Sequence, residues 1–176
     1  MGSSCAGEDA DDDTGADFVQ RPGSRLVKVQ SVGLAAFGPI NPHTAARSDA
    51  TAAFGEPSAV ERAGARCRRR WPDLGLAIEF AAVGGEDPCG SGAGIEAIRV
   101  AGSAAVQAGW RTAEGIRPGM RVAAARRLYP EASRSGNELT LVRGPSDGRA
   151  ATVLAVETAA SRVAAMTFPI AERRIR

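Results

Sequence analysis

The sequence predicts an α+β fold: two tandem helix-plus-antiparallel-sheet repeats sharing one sheet, with short helices on one face. Three observations point there. Alternating apolar stretches read as strands, short stretches of helical period precede them, and matched segments recur in the same order in both halves of the 176-residue chain. Composition sets the scale: 44% hydrophobic and 24% charged residues exclude a collagen, a coiled coil or a wholly disordered chain. Aromatics are only 5%, against 35 Ala and 21 Gly, so a core of Val, Leu, Ile and Ala with few large anchors is expected.

Residues 1–24 form the first segment, read as a disordered acidic leader or tether. Residues 1–20 hold Glu8, Asp9, Asp11, Asp12, Asp13 and Asp17 without a base, and such a stretch buries too little apolar surface to offset the entropy of ordering it. Removing those six acids leaves 14 against 22 bases, so the net +2 divides into a −6 leader and a +8 body. The basic residues are 21 Arg and a single Lys28, a bias that GC-rich coding explains before chemistry does. No run reaches the roughly 18 apolar residues of a membrane helix. Met1-Gly2-Ser3-Ser4-Cys5-Ala6-Gly7 before an acidic tether resembles the maturation site of a bacterial lipoprotein, although no apolar segment stands before Cys5 in this sequence. Cys5 is therefore the lipidation candidate and a membrane tether, with an incidental exposed cysteine as the rival reading.

The body follows as unit 1 (25–102) and unit 2 (103–172). Gly33 to Gly38 leads to Ala52-Ala53-Phe54-Gly55-Glu56-Pro57-Ser58, as Gly115 to Met120 leads to Arg127-Leu128-Tyr129-Pro130-Glu131-Ala132-Ser133. Leu76 to Phe80 matches Leu154 to Thr158, and Ile95 to Val100 matches Val163 to Phe168. The offsets run from 68 to 82 residues and change where loops are expected, at the Ile40-Asn41-Pro42-His43 insertion and the Gly84–Gly94 loop.

Within each unit the periods are readable. Ser48 to Phe54 reads as a helix capped by Ser48 and stopped at Gly55. Leu74, Leu76, Ile78 and Phe80 alternate with small or charged residues and form the clearest strand. Arg121 to Tyr129 reads as a second helix, with Val122, Ala125, Leu128 and Tyr129 on its inner stripe and Pro130 ending it. Thr152, Leu154 and Val156 alternate again, and the turn Ala159–Arg162 returns the chain as a strand from Val163 to Phe168. About three strands per unit are expected, with the second sheet face left partly open.

Cys67 and Cys89 stand 22 residues apart, before and after the clearest strand, where a bridge ties the ends of a hairpin. With Cys5 set aside the cysteines pair evenly, as an extracytoplasmic protein requires. Two free thiols in a cytosolic protein are the alternative. Zinc is a poor fit, since there is one histidine and no CxxC pair.

Gly115, Ile116, Gly119, Met120, Leu128, Tyr129, Val163, Met166 and Phe168 carry a pattern, and Gly33, Phe37, Gly38, Phe54, Gly55, Ile95, Ile98 and Val100 carry a degraded copy. That pattern resembles the BamE/SmpA-like outer-membrane lipoprotein fold and, repeated in tandem, the beta-lactamase-inhibitory proteins. The resemblance implies non-enzymatic work outside the cytoplasm, in envelope assembly or in binding a protein on an open sheet face. The chain has few large side chains to serve as anchors: Trp71, Trp110, Phe80, Phe168 and Tyr129. Inhibition of a beta-lactamase is not carried over.

Arg66-Cys67-Arg68-Arg69-Arg70-Trp71 is the most charged run. In alternation Cys67, Arg69 and Trp71 face one way and Arg68 and Arg70 the other, the pattern of an edge strand guarded by charge. With Arg173, Arg174 and Arg176 it also offers a basic surface, the basis of a nucleic-acid-binding alternative. Arg68, Arg70, Trp71 and Trp110 are the candidate partner surface. Gly90-Ser91-Gly92-Ala93-Gly94 lacks the following helix of a phosphate-binding loop and reads as a hairpin loop. His43 with Ser48 and Asp49 lacks a nucleophile elbow, and Glu79 and Glu157 are explained by duplication. No catalytic residue, metal or cofactor is expected. The expectation is an exported or lipid-anchored binding or envelope-structural module that is not an enzyme and does not bind nucleic acid, the alternative being an enzyme with an unrecognised site.

Overall fold

The computed structural model describes residues 25–30, 33–146 and 149–170. It is an α+β structure, mostly antiparallel sheet. Strand β1 (Leu26–Gln30) pairs with β2 (Gly33–Phe37), after which the chain turns at Asn41–Thr44 into helix α1 (Arg47–Phe54). An antiparallel meander follows: β3 (Ala59–Ala63), β4 (Arg66–Trp71), β5 (Leu76–Ala81) and β6 (Gly94–Ala101). Helix α2 (Gly102–Ala108) and β7 (Arg111–Thr112) bridge to helix α3 (Val122–Leu128). A second meander closes the chain: β8 (Ser133–Ser135), β9 (Glu138–Ser146), β10 (Arg149–Ala159) and β11 (Arg162–Pro169).

The two meanders join through their last strands into one eight-stranded sheet of order β3-β4-β5-β6-β11-β10-β9-β8. The order is symmetric about the β6–β11 pair. Local details agree on both sides of it. Ala46, before α1, bridges Gly94 at the start of β6, and Arg121, before α3, bridges Arg162 at the start of β11. Ile78 opposes Ile98 as Val156 opposes Met166, and the ladders slip immediately after Glu79 and after Glu157. A small sheet, β2-β1-β7, lies outside this order, and its parallel β1–β7 pair draws the start of the chain to residues 111–112.

Alternation decides which face is packed. Along β4 and β5, Cys67, Arg69, Trp71, Leu76, Ile78 and Phe80 are buried, while Arg66, Arg68 and Arg70 are exposed and Ala77 and Glu79 are half-buried. The helices cover the apolar face: Ala50 of α1 and Ala125 of α3 join one core with Ile98, Val100, Leu154, Val156, Met166 and Phe168. Five aromatic side chains cross this core. Phe37 stacks on Trp110 at 4.4 Å and meets Phe168 edge-on at 5.8 Å, and Phe54 lies 6.0 Å from both Trp71 and Trp110. Each indole also has a backbone acceptor, Gly55 O for Trp71 at 2.8 Å and Leu74 O for Trp110 at 2.9 Å, so neither polar edge is buried unpaired.

Four expectations are corrected. Trp71 and Trp110, expected on a partner surface, are 4% and 1% exposed. Both indoles turn inward to pack on aromatic neighbours, Trp71 against Phe54 and Trp110 against Phe37 and Phe54. The run from Arg66 to Trp71 is the second strand, and β3 is the edge. Ser48 does not cap α1; the cap position is Ala46, whose N–H donates to Asp49 Oδ2 at 2.7 Å. Leu128 is 46% exposed, because α3 contacts the core through Ala125, with Val122 and Tyr129 packed alongside. Strands β1 and β7 and helix α2 add to the expected elements, and each meander has four strands where about three were expected.

Gly75 fixes the corner between β4 and β5. It ends the 3-10 turn Pro72–Leu74 in the left-handed region, φ 57°, and a Cβ there would collide with the backbone nitrogen of Ala105 and the carbonyl of Ala101. Gly75→Ala is therefore expected to destabilise the protein by at least about 2 kcal/mol in urea unfolding. A loss below about 0.5 kcal/mol would contradict this corner.

Candidate functional site

The face of the sheet that the helices leave uncovered forms an open groove of about 730 Å³. Its floor is made of short side chains, Ala77 from β5, Ala97 and Ala101 from β6, and Thr167 from β11. Ala77 opposes Arg70 and Arg99, and Thr167 opposes Arg99, so small residues and arginines stand side by side across four strands. Gly102, Ser103 and Ala104 at the start of α2, with Pro72, form the end wall.

The arginines of β4 and β6 on this face each meet a carboxylate. Arg68 Nε donates to Glu79 at 2.9 Å, and this hydrogen bond and charge hold the Arg68 guanidinium above its ordinary pKa. Arg70 pairs with Glu61 at 3.0 Å, Arg66 with Glu96 at 2.6 Å, and Arg99 with Glu157 at 2.7 Å. The last pair spans the seam between the meanders. These pairs are solvent-exposed and each contributes about 0–1 kcal/mol, so their main effect is to lay out alternating charge beside an alanine floor.

Of the expected partner residues, Arg68 and Arg70 line the groove, while Trp71 and Trp110 belong to the opposite, packed face. Glu79 and Glu157 also line it, and Arg99, Ala97 and Thr167 add to the expected set. Their signal in the sequence was weak: Ala at alternate strand positions marks an outer face, and only the register shows which strands meet there. His43 sits away from the groove in the Asn41–Thr44 turn, its N–H donating to Asn41 Oδ1 at 3.0 Å. Gly90–Gly94 leads directly into β6. Among the described residues no three His, Cys, Asp or Glu side chains cluster as metal ligands. Cys5, Arg173, Arg174 and Arg176 lie outside the described residues.

Cys67 and Cys89 are bonded, with Cα atoms 5.2 Å apart. The bridge pins the loop between β5 and β6 to β4. Asp87 accepts the Cys89 N–H at 2.9 Å and pairs with Arg62, and the backbone bond above all holds its carboxyl below the ordinary range. Further along the chain, burial pushes the Tyr129 hydroxyl well above its usual pKa.

No family model and no curated protein matches this chain. Among solved structures it is similar to an extracellular protein containing a SCP domain from Bacillus anthracis str. Ames, at 10% identity and a TM-score of 0.43. That likeness covers 74% of this chain and 44% of the other, so the chain spans less than half the length of that protein. A likeness at this level assigns neither fold nor function.

The bridge carries a testable consequence. Replacing both cysteines, Cys67→Ala with Cys89→Ala, is expected to cost about 2–4 kcal/mol of stability. Titration of the denatured, unreduced protein is expected to find at most one thiol, that of Cys5 where it is not lipidated; three would contradict the bond.

Proposed function

We propose that the protein is an exported, non-enzymatic binding or envelope-structural module that holds a protein partner in the groove of its uncovered sheet face. The observation that carries this reading is the groove itself: an alanine and threonine floor, flanked by Arg68, Arg70, Arg99, Glu79 and Glu157, on a sheet whose other face carries the hydrophobic core. Short side chains let a partner's loop approach the sheet closely. Charges of both signs fix its register and reject partners of one charge. Because Arg66, Arg68 and Arg70 are each neutralised by a carboxylate, the run is a poor nucleic-acid surface.

The reading includes a tandem origin for the two meanders, as 25–102 and 103–172, and the kinship with BamE/SmpA-like and beta-lactamase-inhibitory folds that the apolar pattern suggested. The symmetric strand order, the paired helix-to-strand bridges and the ladder slips after Glu79 and Glu157 support the tandem origin. Export is supported by the Cys67–Cys89 bond, since such bonds persist in oxidising compartments, and lipid anchoring through Cys5 is carried by the sequence around that residue alone.

A photo-crosslinking side chain at Ser103, on the groove's end wall, tests the function in envelope and secreted fractions of the source cells. A discrete protein adduct is expected, lost when Ala97→Trp fills the floor, with the far-ultraviolet circular dichroism unchanged. No discrete adduct, or one that survives Ala97→Trp and also forms from exposed Val106, would overturn the reading.

A further inference from the structure

Ion pairs join Arg62, Arg66, Arg68, Arg70 and Arg99, all from the first meander, to carboxylates. A second group of arginines lies elsewhere, and two turns and a bridge build it. Residues 112–116 form a tight hairpin, with the Thr112 N–H on Ile116 O at 2.8 Å and the Gly115 N–H on Thr112 O at 3.0 Å. Thr112 and Ile116 are buried, so the alternation of side chains turns their neighbours Arg111 and Arg117 outward, side by side. The turn from Arg117 to Met120 then leads to Arg121, which stands directly opposite Arg162 in the bridge to the start of β11.

Gly119 lies in the middle of this group. Its carbonyl accepts Arg162 Nη1 at 2.7 Å, and a Cβ on it would lie 3.4 Å from Cγ2 of Val106, a side chain that is itself 51% exposed. Arg111, Arg117, Arg121 and Arg162 are all exposed, and among the described residues none of the four forms an ion pair. Like charges directly opposite each other in a ladder are destabilising, so Arg121 against Arg162 is a repulsion that an anion would relieve.

The described chain starts against this group. Arg25 O accepts the Arg111 N–H at 3.2 Å, and Leu26 and Val27 run parallel to Arg111 and Thr112. Before Arg25 the sequence carries Glu8, Asp9, Asp11, Asp12, Asp13 and Asp17, with no base up to Gln20. Eight residues from Asp17 to Arg25 reach up to about 26 Å, whereas the four from Arg117 to Arg121 span at most about 13 Å. We propose that this group of arginines is the docking surface for the chain's own acidic leader, residues 8–17. Opposite charge selects the segment, and attachment beside Arg111 gives it an effective concentration that a free partner lacks. The arginines of the groove are neutralised within the sheet and do not compete for it, and none of the four docking arginines lines the groove.

Paramagnetic relaxation in the full, unlipidated chain tests this. With Cys67 and Cys89 bonded, Cys5 is the thiol left to carry a nitroxide, three residues before Glu8. At about 0.01 M salt the label is expected to broaden the amides of Arg117, Gly119, Arg121 and Arg162 and to spare Val60 on edge strand β3, and at about 1 M salt the broadening is expected to fade. Arg117→Gln and Arg121→Gln should each lower the docked-to-undocked ratio about two- to fivefold, while Arg66→Gln, whose charge already meets Glu96, should leave it unchanged. Neutralising the leader, Asp11→Asn with Asp12→Asn and Asp13→Asn, should weaken docking in the same direction. No broadening, broadening spread evenly over the surface, or broadening indifferent to salt would overturn the proposal. So would broadening between copies when label and observed amides lie on different chains, which would make the surface a contact between copies. Broadening that arises only when vesicles of anionic phospholipid are added would overturn it too, by giving the surface to a membrane.

Discussion

The structure depends on one aromatic cluster. Phe37, Phe54, Trp71, Trp110 and Phe168 are five of only eight aromatic residues in the chain, and they meet in one place. They come from β2, α1, β4, the segment before β7, and β11, so one contact set ties the small sheet, the first helix and both meanders together. A buried ring of this kind stabilises by about 1.5–3 kcal/mol through area alone, with more from ring geometry. The aliphatic core around it, with Ile78, Ile98, Leu154 and Met166, is continuous with this cluster. Both indole N–H groups end on backbone carbonyls at turns, which fixes where α1 stops and where the 3-10 turn sits before β5.

Concentrating the large side chains on one face leaves the other to alanine, threonine and charge. The uncovered face of β4, β5, β6 and β11 is crossed by ion pairs, Arg68–Glu79 and Arg70–Glu61 between adjacent strands and Arg99–Glu157 across β11, and β3 at the edge carries Glu61 and Arg62. A sheet face so made resists unspecific association and still admits a shaped partner. Arg69 departs from this division, as a buried charge on the apolar side that forms no ion pair among the described residues and reaches the Cys89 carbonyl at 3.4 Å.

Much of this was legible in the sequence. Alternation at Leu76, Ile78 and Phe80, the stop at Gly55, the hairpin through Ala160 and Ser161, and the Cys67–Cys89 bond all follow from local chemistry. What was not legible depends on distant partners. Leu26 to Gln30 becomes a strand by pairing with residues 111–112 as well as with β2, and no local pattern announces that pairing. Trp71 and Trp110 read as surface anchors because an aromatic-poor chain gives no sign of which face claims its largest residues. The groove was half legible: the polar positions of β4 and β5 were visible, but that β6 and β11 complete the floor depends on the register between the meanders.

That register makes the two meanders one sheet and one cooperative unit, and native-state amide hydrogen exchange resolved by residue tests it most directly. The account predicts that amides of the central β6–β11 pair and the indole N–H of Trp110 exchange only on global unfolding, with a single free energy shared by β5 and β10. Separate opening of the first meander from the second, with distinct free energies and early exchange at β6 and β11, would contradict it.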